Sequence, residues 1–247
     1  MGRPWIVGLL LLVLFLGLGL GWWANRWSSP QPVLTAQIAV APDHIITTSL
    51  LSNQPRMLLL RNFLTPDECD QVIQLGESLL LTRSTVQGPA SNEISAERTS
   101  YTLNFRRHHN ALITALEQRA TLFCPYPADH VENLQLVRYH PGQQYKHHYD
   151  FFVPGAPGTP VALQRGGQRH VTLFVYLNDL LPDDPGGHTD FPRLPLRLRP
   201  EKGLAVLWYN VDPVTRQEDF RTFHAGLPPQ RSVKYGLNLW IRERPFV

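Results

Sequence analysis

The stretch HVTLFVYLND, residues 170–179, is a short run of β-branched, aromatic and leucine residues that ends in an Asn-Asp pair. A run of this kind, bounded by turn-forming residues, is typical of a β-strand. Three similar runs lie before and after it along the chain: LQLVRYH at 134–140, GLAVLWYN at 203–210 and VKYGLNLWI at 233–241. Clusters of Gly, Pro and Asp separate these runs, so the C-terminal half of the chain predicts several short strands.

The N-terminal half of the chain predicts two helices. Thr65 suits the N-cap of the first, Pro66 suits its first helical position, and Glu68 completes a capping box. Apolar residues then recur at helical spacing and predict the buried face of this helix: Cys69, Val72, Ile73, Gly76, Leu79 and Leu80. The second helix is predicted from about Ala111 to Phe123, with four inward residues: Leu112, Ala115, Leu116 and Leu122.

The order of these elements predicts the fold class. Two helices followed by many short strands indicate an α+β fold in which helices pack on one side of an antiparallel sandwich or barrel. We therefore expect a jelly-roll-like β core with supporting N-terminal helices. The length of 247 residues fits one moderately large domain with an appendage, and the 43% of hydrophobic residues can fill its core.

Charge and cysteine content exclude some classes of protein. The formal net charge is only +3, and no block of Lys and Arg could follow a phosphate backbone, which argues against a nucleic-acid partner. The two cysteines, Cys69 and Cys124, have neither the spacing of a metal or redox site nor the number that a disulfide framework needs. One disulfide between them is an alternative; we favour two separate thiols, because free cysteine packs as a small apolar residue.

The segment from Trp5 to Ala24 reads WIVGLLLLVLFLGLGLGWWA and contains no charge. A helix of this length is about 30 Å long and spans the hydrocarbon core of a bilayer. Arg3 and Arg26 flank the segment, and tryptophans lie near both of its ends, where aromatic belts form. We predict a membrane protein with an uncleaved, single-pass N-terminal anchor, whose orientation the nearly balanced flanking charges leave open.

A cleaved signal peptide and a buried helix are the two alternatives for this segment. The apolar run is long for a signal peptide and ends in paired tryptophans, where a cleavage site needs small residues. Residues 25–56 are rich in Ser, Pro, Thr and Gln and predict a linker, although extended pieces such as 37–40 could already belong to the following domain. The predicted division is an anchor at 5–24, a linker at 25–56 and a folded domain at 57–247.

The segment RYHPGQQYKHHYDFF, residues 138–152, contains His148 and Asp150. Residues i and i+2 of a strand point to the same face, so this imidazole and carboxylate would share one space. They would supply two legs of the arrangement of two histidines and one carboxylate that holds Fe(II) and leaves positions open. A His-x-Asp pair by itself is weak evidence, because a polar pair on an exposed strand has the same pattern.

A third ligand and a buried cation are predicted in a later β-rich region. His224 precedes an Ala-Gly pair, and Lys234 lies ten residues further on, inside the run at 233–241. A lysine that points to an apolar face is costly unless paired, and a dicarboxylate that chelates the metal would pair with it. Each residue alone also fits a structural histidine or a solvent-facing lysine. The order and spacing of the whole set favour a metal site.

Five ordered blocks from about Asn62 to Phe246 resemble the prolyl 4-hydroxylase family of Fe(II)/2-oxoglutarate-dependent dioxygenases. They are NFLTPDECDQVI at 62–73, LQLVRYHPGQQYKHHYDFF at 134–152, GGHTDFP at 186–192, PEKGLAVLWYN at 200–210 and HAGLPPQRSVKYGLNLWIRE at 224–243. The second block is similar to the family's Tyr-x(5)-Tyr-x-x-His-x-Asp segment, and the last block carries the distal histidine, the lysine and the Asn-x-Trp of the closing strand. The resemblance implies a double-stranded β-helix with supporting helices.

The resemblance also implies the roles of individual residues. It identifies His148, Asp150 and His224 as the catalytic iron ligands. Four residues are implied at the 2-oxoglutarate pocket: Lys234 at the distal carboxylate, with Tyr139, Thr189 and Trp240 around it. The implied cofactors and cosubstrates are Fe(II), 2-oxoglutarate, O2 and L-ascorbate. The implied reaction is hydroxylation of an aliphatic carbon, with a prolyl residue of a peptide or protein as the expected acceptor.

Several alternatives stay open from the sequence. The acceptor could be another side chain or a small molecule, the chain could be a non-catalytic membrane-tethered relative, or the same ligands could hold Zn(II) in a hydrolase. The non-catalytic alternative predicts loss of a ligand or of the lysine, and the zinc alternative leaves Lys234 unexplained. The loop at 152–168, rich in Pro and Gly, fits either a substrate lid or an ordinary solvated loop. The sequence does not indicate an oligomeric state.

Overall fold

The computed structural model describes residues 35–88 and 92–246. The predicted anchor at 5–24 lies outside the described residues, and none of the described helices has the length and hydropathy that a membrane span requires. The helices are α1 (Pro66–Glu77), α2 (Ala111–Ala120) and α3 (Thr159–Gln164), with 3₁₀ turns at Thr121–Phe123, Ala128–His130 and Phe220–Thr222. The strands are β1 (Thr35–Ala41), β2 (His44–Asn53), β3 (Arg56–Arg61), β4 (Thr82–Arg83), β5 (Thr85–Gln87), β6 (Asn92–Ile94), β7 (Tyr101–Phe105), β8 (Leu134–Tyr139), β9 (Tyr145–His148), β10 (Arg169–Tyr176), β11 (Thr189–Phe191), β12 (Leu196–Leu198), β13 (Ala205–Tyr209), β14 (His224–Gly226) and β15 (Lys234–Arg242).

Two antiparallel sheets form the framework of the described residues. The larger sheet has nine strands in the order β1-β2-β3-β13-β10-β15-β8-β7-β4, and the smaller has four in the order β12-β11-β14-β9. β5 and β6 form a separate hairpin. This mainly β architecture with few helices agrees with the predicted jelly-roll core.

The central strand β10, between β13 and β15, explains how the layers pack. Val171 and Leu173 point to one face of the large sheet and join a buried cluster with residues of α1 and α2. Phe174 and Tyr176 point to the other face and join a second cluster with Phe191 of the small sheet. Because the strand is covered on both faces, it can be a continuous apolar run.

The predicted start of α1 is confirmed, and its end is corrected. The capping box between Thr65 and Glu68 is present, and the helix begins at Pro66 as expected. The helix ends at Glu77, however, so the side chains of Leu79 and Leu80 are 39% and 81% exposed rather than buried. The helical repeat that would have turned them inward stops before it reaches them.

The second helix ends in the same way. Leu116 is fully buried as predicted, but Leu122 is 52% exposed. The α-helix stops at Ala120 and continues as a 3₁₀ turn, whose tighter winding moves side chains off the expected face. Ile113, which the predicted face left out, is fully buried.

The predicted linker at 25–56 is corrected from residue 35 onward, because β1 and β2 belong to the large sheet. In β2, His44, Ile46 and Thr48 are buried, whereas Ile45 between them is 45% exposed. This alternation with a period of two is the mark of a strand. The alternative that extended pieces such as 37–40 belong to the folded domain is confirmed; the composition favoured a linker because threonine and serine are common in linkers, yet β-branched threonine is also a good strand former.

Both cysteines are free thiols, as predicted. Cys69 is buried within α1, and Cys124 is half-buried just after a 3₁₀ turn. Burial raises the pKa of Cys69 to about 12 and the pKa of Cys124 to about 11. Both thiols therefore stay protonated and unreactive at neutral pH.

The side chain of Asp184 connects the two loops that precede β11 and β15 through hydrogen bonds. Its Oδ1 accepts hydrogen bonds from the backbone N–H groups of Gly186 and Gln230, both at 2.9 Å. Its Oδ2 accepts from the backbone N–H groups of Arg231 at 2.9 Å and Ser232 at 2.7 Å. The side chain is 1% exposed. Although burial opposes its charge, these four donors hold the pKa of Asp184 well below its usual range.

We expect Asp184→Asn to lower the free energy of unfolding at pH 7 by about 3–5 kcal/mol, because the amide turns a donor toward two buried N–H groups. A carboxyl with a depressed folded pKa stabilises the protein above its unfolded pKa of about 4, and this stability is lost as the pH falls. The difference between wild type and Asp184→Asn, measured by urea unfolding, should therefore shrink between about pH 5 and pH 2.

Asp212→Asn is the matched control, because Asp212 accepts two backbone N–H groups, from Val214 and Thr215, at the protein surface. This variant should change the stability much less. An Asp184→Asn variant as stable as Asp212→Asn at pH 7 would contradict the assignment.

Candidate active site

Three of the predicted site residues converge where β9 meets β14. His148 ends β9 and His224 begins β14, and the two residues are direct antiparallel partners. Asp150 follows the end of β9, so the bend after the strand, rather than the strand itself, aims its carboxylate at the histidines. The Nε2 atom of His148 lies 3.6 Å from Asp150 Oδ1, and the Nε2 atom of His224 lies 3.7 Å from Asp150 Oδ2. One candidate ligand atom of each residue lies within 4.8 Å of the other two.

Backbone carbonyl groups orient both imidazoles. Nδ1 of His148 lies 2.8 Å from the carbonyl oxygen of Lys146, and Nδ1 of His224 lies 2.8 Å from that of Thr222. A carbonyl oxygen can only accept, so each Nδ1 carries the proton and each Nε2 presents a lone pair. This is the tautomer that metal-binding histidines adopt when a second hydrogen bond orients the ring.

The charge states of these residues also suit a metal. Burial and the neighbouring His148 lower the pKa of His224 to about 4, so its imidazole is neutral at pH 7. Burial alone would raise the pKa of Asp150, but the facing His224 and His148 lower it overall. A neutral imidazole and an ionised carboxylate are the forms that coordinate metal ions.

Lys234 lines a cleft that is also lined by His148, Asp150 and His224, and we call this cleft the inner cavity. The lysine is 1% exposed, and its burial lowers its pKa to about 7. Its Nζ lies between three aromatic rings at 5.4–5.6 Å from their centroids, namely those of Tyr139, Phe174 and Tyr176. Within residues 35–88 and 92–246, no carboxylate forms an ion pair with it.

Other donors in the inner cavity also lack acceptors. The indole N–H groups of Trp208 and Trp240 are buried, with no hydrogen-bond partner among the described residues. The hydroxyl oxygen of Thr189 accepts from Tyr176 at 2.7 Å, which leaves the hydroxyl proton of Thr189 available to a ligand. Buried donors without acceptors are unfavourable. The carboxylates of a diacid would satisfy them, so the inner cavity fits 2-oxoglutarate, and the facing His-Asp-His set fits Fe(II).

The structure thus brings all seven predicted site residues to one cavity: His148, Asp150, His224, Lys234, Tyr139, Thr189 and Trp240. Tyr139 is the direct partner of Lys234 across the β8–β15 pair. Burial raises the pKa of Tyr139 to about 12, so its phenol stays a donor.

A second, larger cleft of about 550 Å³ meets the inner cavity at Asp150, and we call it the outer groove. One wall is the β5–β6 hairpin, and another is the segment 152–162, which includes the start of α3. Tyr145, Tyr149 and Trp240 contribute aromatic surface to the groove. Asp150 lines this groove and Lys234 does not, so a substrate in the outer groove would lie next to the Asp150 side of the His-Asp-His set.

Sequence reasoning assigned no role to several residues that line these clefts. The ring of Tyr145 stacks on that of His148, with the ring centroids 3.5 Å apart. The guanidinium of Arg169 stacks on Trp240 at 3.8 Å from the ring centroid and pairs with Glu132 at 2.7 Å. Arg98 is 7% exposed and lines both clefts. Arg169 precedes an apolar strand run, which is a usable signal, whereas the short segment around Arg98 has no periodicity to read.

Comparisons with known proteins agree with this geometry. A model of the 2OG-Fe(II) oxygenase superfamily matches residues 134–242, which contain all seven predicted site residues. The chain is 30% identical over 214 residues to "Probable prolyl 4-hydroxylase 3" of Arabidopsis thaliana. This alignment covers 78% of this chain and 71% of that protein. It is 27% identical over 236 residues to prolyl 4-hydroxylase 1 of the same plant, in an alignment that covers 89% of this chain and 78% of that protein.

A solved structure shares the fold. The viral collagen prolyl hydroxylase of Paramecium bursaria Chlorella virus-1, in its 2-oxoglutarate complex, is 30% identical with a TM-score of 0.59, over 75% of this chain and 95% of that chain. Sequence identity over most of each relative, a common fold and a cavity suited to Fe(II) and 2-oxoglutarate lead to one conclusion. This chain is an iron(II)- and 2-oxoglutarate-dependent oxidoreductase and belongs to the prolyl 4-hydroxylase family.

Proposed function

We propose that this enzyme hydroxylates a prolyl residue in an extended peptide or protein segment, with His148, Asp150 and His224 as its iron ligands. The observation that carries the proposal is the position of Asp150, which lines both the inner cavity and the outer groove. A metal held there would adjoin both clefts, so that a diacid in the inner cavity and a substrate in the outer groove could both reach it. The similar Arabidopsis proteins and the viral enzyme are named as prolyl hydroxylases.

Lys234 is proposed to bind the distal carboxylate of 2-oxoglutarate. The ammonium group is buried without a partner carboxylate in the described part of the chain, and the hydroxyl groups of Tyr139 and Thr189 line the same cavity. The indole N–H of Trp240 supplies a further donor. A carboxylate placed among these groups forms charge-assisted hydrogen bonds, which are the strong ones.

When bound, Fe(II) and 2-oxoglutarate supply the activation of O2: the 2-oxo acid becomes succinate and CO2, and one oxygen atom enters a C–H bond of the substrate. The chain positions the reactants. The Nδ1 hydrogen bonds of His148 and His224 fix their rings. Asp150 and His224 are each 6% exposed, so protein rather than water surrounds them. L-ascorbate is proposed to keep the iron reduced between turnovers.

The outer groove is proposed to hold the peptide. Tyr145, Tyr149 and Trp240 line it, and aromatic grooves bind proline-rich segments because such segments are already extended and lose little conformational entropy. The segment 152–168 is proposed to act as a substrate lid, because its residues between 152 and 162 line the groove. An acceptor other than proline is the alternative.

We expect His148→Ala to abolish succinate formation from 2-oxoglutarate, because one of three metal ligands is lost. His140→Ala is the matched control, since His140 is exposed near the same segment and should keep wild-type activity. The assay uses the purified protein with Fe(II), ascorbate, 2-oxoglutarate and a library of proline-containing peptides. Mass spectrometry reports the gain of one oxygen atom.

The peptide library also identifies the acceptor. Hydroxylation of prolyl residues supports the proposal, whereas succinate formation coupled to a different acceptor would replace it. After removal of metal with a chelator, Fe(II) should restore turnover and Zn(II) should not. Equal turnover by His148→Ala and wild type would rule out the proposed ligand set.

We expect Lys234→Met to raise the KM for 2-oxoglutarate by at least about a hundredfold, because a buried carboxylate loses its cation. Without 2-oxoglutarate the variant should unfold at a higher temperature than wild type at pH 6, because it removes a buried charge that has no partner carboxylate within the described ranges. Lys202→Met is the control, since Lys202 forms an ion pair with Asp70 near the surface.

The pH dependence gives a second readout for Lys234. Its folded pKa of about 7 lies below the ordinary 10.5, so the unfolded chain binds more protons between these pH values. The stability of the ligand-free wild type should therefore rise with pH across this window, and Lys234→Met should lack this rise. A parallel pH dependence of the two proteins would contradict a buried, unpaired Lys234.

We further propose that residues 5–24 anchor the enzyme in a membrane. The support is the uncharged apolar run with flanking tryptophans and arginines. Strand β1 begins at Thr35, so the proposed anchor would be separated from the sheet by only about ten residues.

The full chain should sediment with membranes after a high-salt wash, and a chain that starts at residue 28 should be recovered in the supernatant. Removal of residues 1–27 leaves every described strand in place. Recovery of the full chain in the supernatant would contradict the proposed anchor. So would a mass measurement that shows that the mature protein lacks this segment.

A further inference from the structure

A hydrogen bond from the central strand of the large sheet reaches the proposed metal-binding carboxylate. The hydroxyl group of Thr172 in β10 lies 2.8 Å from Asp150 Oδ2. Thr172 is fully buried. The contact therefore joins Asp150, which follows a strand of the small sheet, to the central strand of the large one.

The direction of this hydrogen bond follows from charge. An ionised carboxylate has no proton to give, so Thr172 donates its single hydroxyl proton to Asp150. The oxygen of Thr172 is then left to accept, and it does so from the side-chain amide of Asn210 at 2.9 Å. Asn210 is fully buried as well. The chain of donors runs in one direction, from Asn210 to Thr172 to Asp150.

The sheet gives Thr172 little freedom to move. Its direct partners are Trp208 in β13 and Trp240 in β15, so it points to the same face as both indoles. A β-branched side chain in a strand has a restricted χ1 angle. The backbone N–H of Asn210 also donates to the carbonyl of His170 at 2.8 Å, which holds Asn210 beside β10. The hydroxyl is thus a fixed donor.

We propose that Thr172, oriented by Asn210, is a positioning residue for the metal centre: it holds Asp150 by Oδ2 and so fixes the carboxylate between the two histidines. The two histidines are held by backbone carbonyls through their Nδ1 atoms. Asp150 lies beyond the end of its strand, and within residues 35–88 and 92–246 its carboxylate accepts a hydrogen bond from the Thr172 side chain and none from a backbone N–H group. The Thr172 hydroxyl supplies the missing constraint from the opposite sheet. This inference rests on the proposed assignment of Asp150 as a ligand.

Metal affinity tests the proposal without any turnover. Co(II) alone is titrated into the metal-free full chain, and the Kd and the visible Co(II) spectrum are recorded. Thr172→Val keeps the shape of the side chain and removes the donor, so the Kd should rise at least about tenfold and the spectrum should change. Thr172→Ser restores the hydroxyl and should bind within about threefold of wild type.

Thr48→Val is the matched control. Thr48 is a buried threonine in β2 whose hydroxyl donates to the backbone carbonyl of Ala36 at 3.2 Å. The same chemical change there removes a hydrogen bond outside the site. It should leave the Co(II) Kd and spectrum unchanged, whatever it does to the melting temperature.

Asn210→Ala keeps the test decisive if Thr172→Val does not fold. Loss of the amide donor frees the hydroxyl of Thr172 to rotate, and the Co(II) Kd should rise about fivefold. Wild-type affinity and spectrum in Asn210→Ala and in any folded Thr172→Val would overturn the proposal. A loss in Thr172→Ser equal to that in Thr172→Val would overturn it too, because the hydroxyl would then not be responsible.

The titration separates this inference from the proposed function. If wild type binds no Co(II), or if His148→Ala binds it as well as wild type does, the ligand assignment fails and the role of Thr172 fails with it. If His148→Ala loses Co(II) while Thr172→Val binds normally, the metal site stands and only the positioning role is wrong.

Discussion

The antiparallel pairing of β9 with β14 is the contact on which the site depends. It sets His148 directly opposite His224, although 75 residues separate them in the chain. Because side chains of directly paired residues point to the same face, a correct register is enough to bring the two imidazoles together. A slip by one residue would turn one histidine to the other face of the sheet. The small sheet is therefore the part of the fold that makes a metal centre possible.

The large sheet contributes further polar side chains to the site. Lys234, Trp240 and Thr172 all project from its inner face toward the His-Asp-His set. Burial of an ammonium group and of indole N–H groups that have no partner in the described part of the chain opposes folding. The protein tolerates that cost at the place where a diacid and a metal would satisfy these groups. The apolar contacts of the other face, where α1 and α2 cover the sheet, supply the compensating stability.

The sequence predicted most of the helices and strands because each has a clear local signal. The capping box at Thr65 located the start of α1, and the apolar run at 170–179 located the central strand. The predictions failed where the local signal was ambiguous. Residues 35–53 read as a linker because threonine and serine suit both linkers and strands, and Leu80 was placed inside because nothing in the sequence marks the end of α1 at Glu77.

The sequence by itself determined the residue types of the site, their order and their resemblance to a known family, because metal ligation and carboxylate binding each need particular chemical groups. Only the tertiary structure decided which groups lie within reach of one another. Arg169, Tyr145 and Thr172 entered the site through strand register and the packing of two sheets, which are contacts between distant parts of the chain. A local pattern can mark such a residue, as the apolar run after Arg169 does, but it does not show which distant groups the residue will contact, because these contacts arise from burial of apolar faces that belong to separate elements.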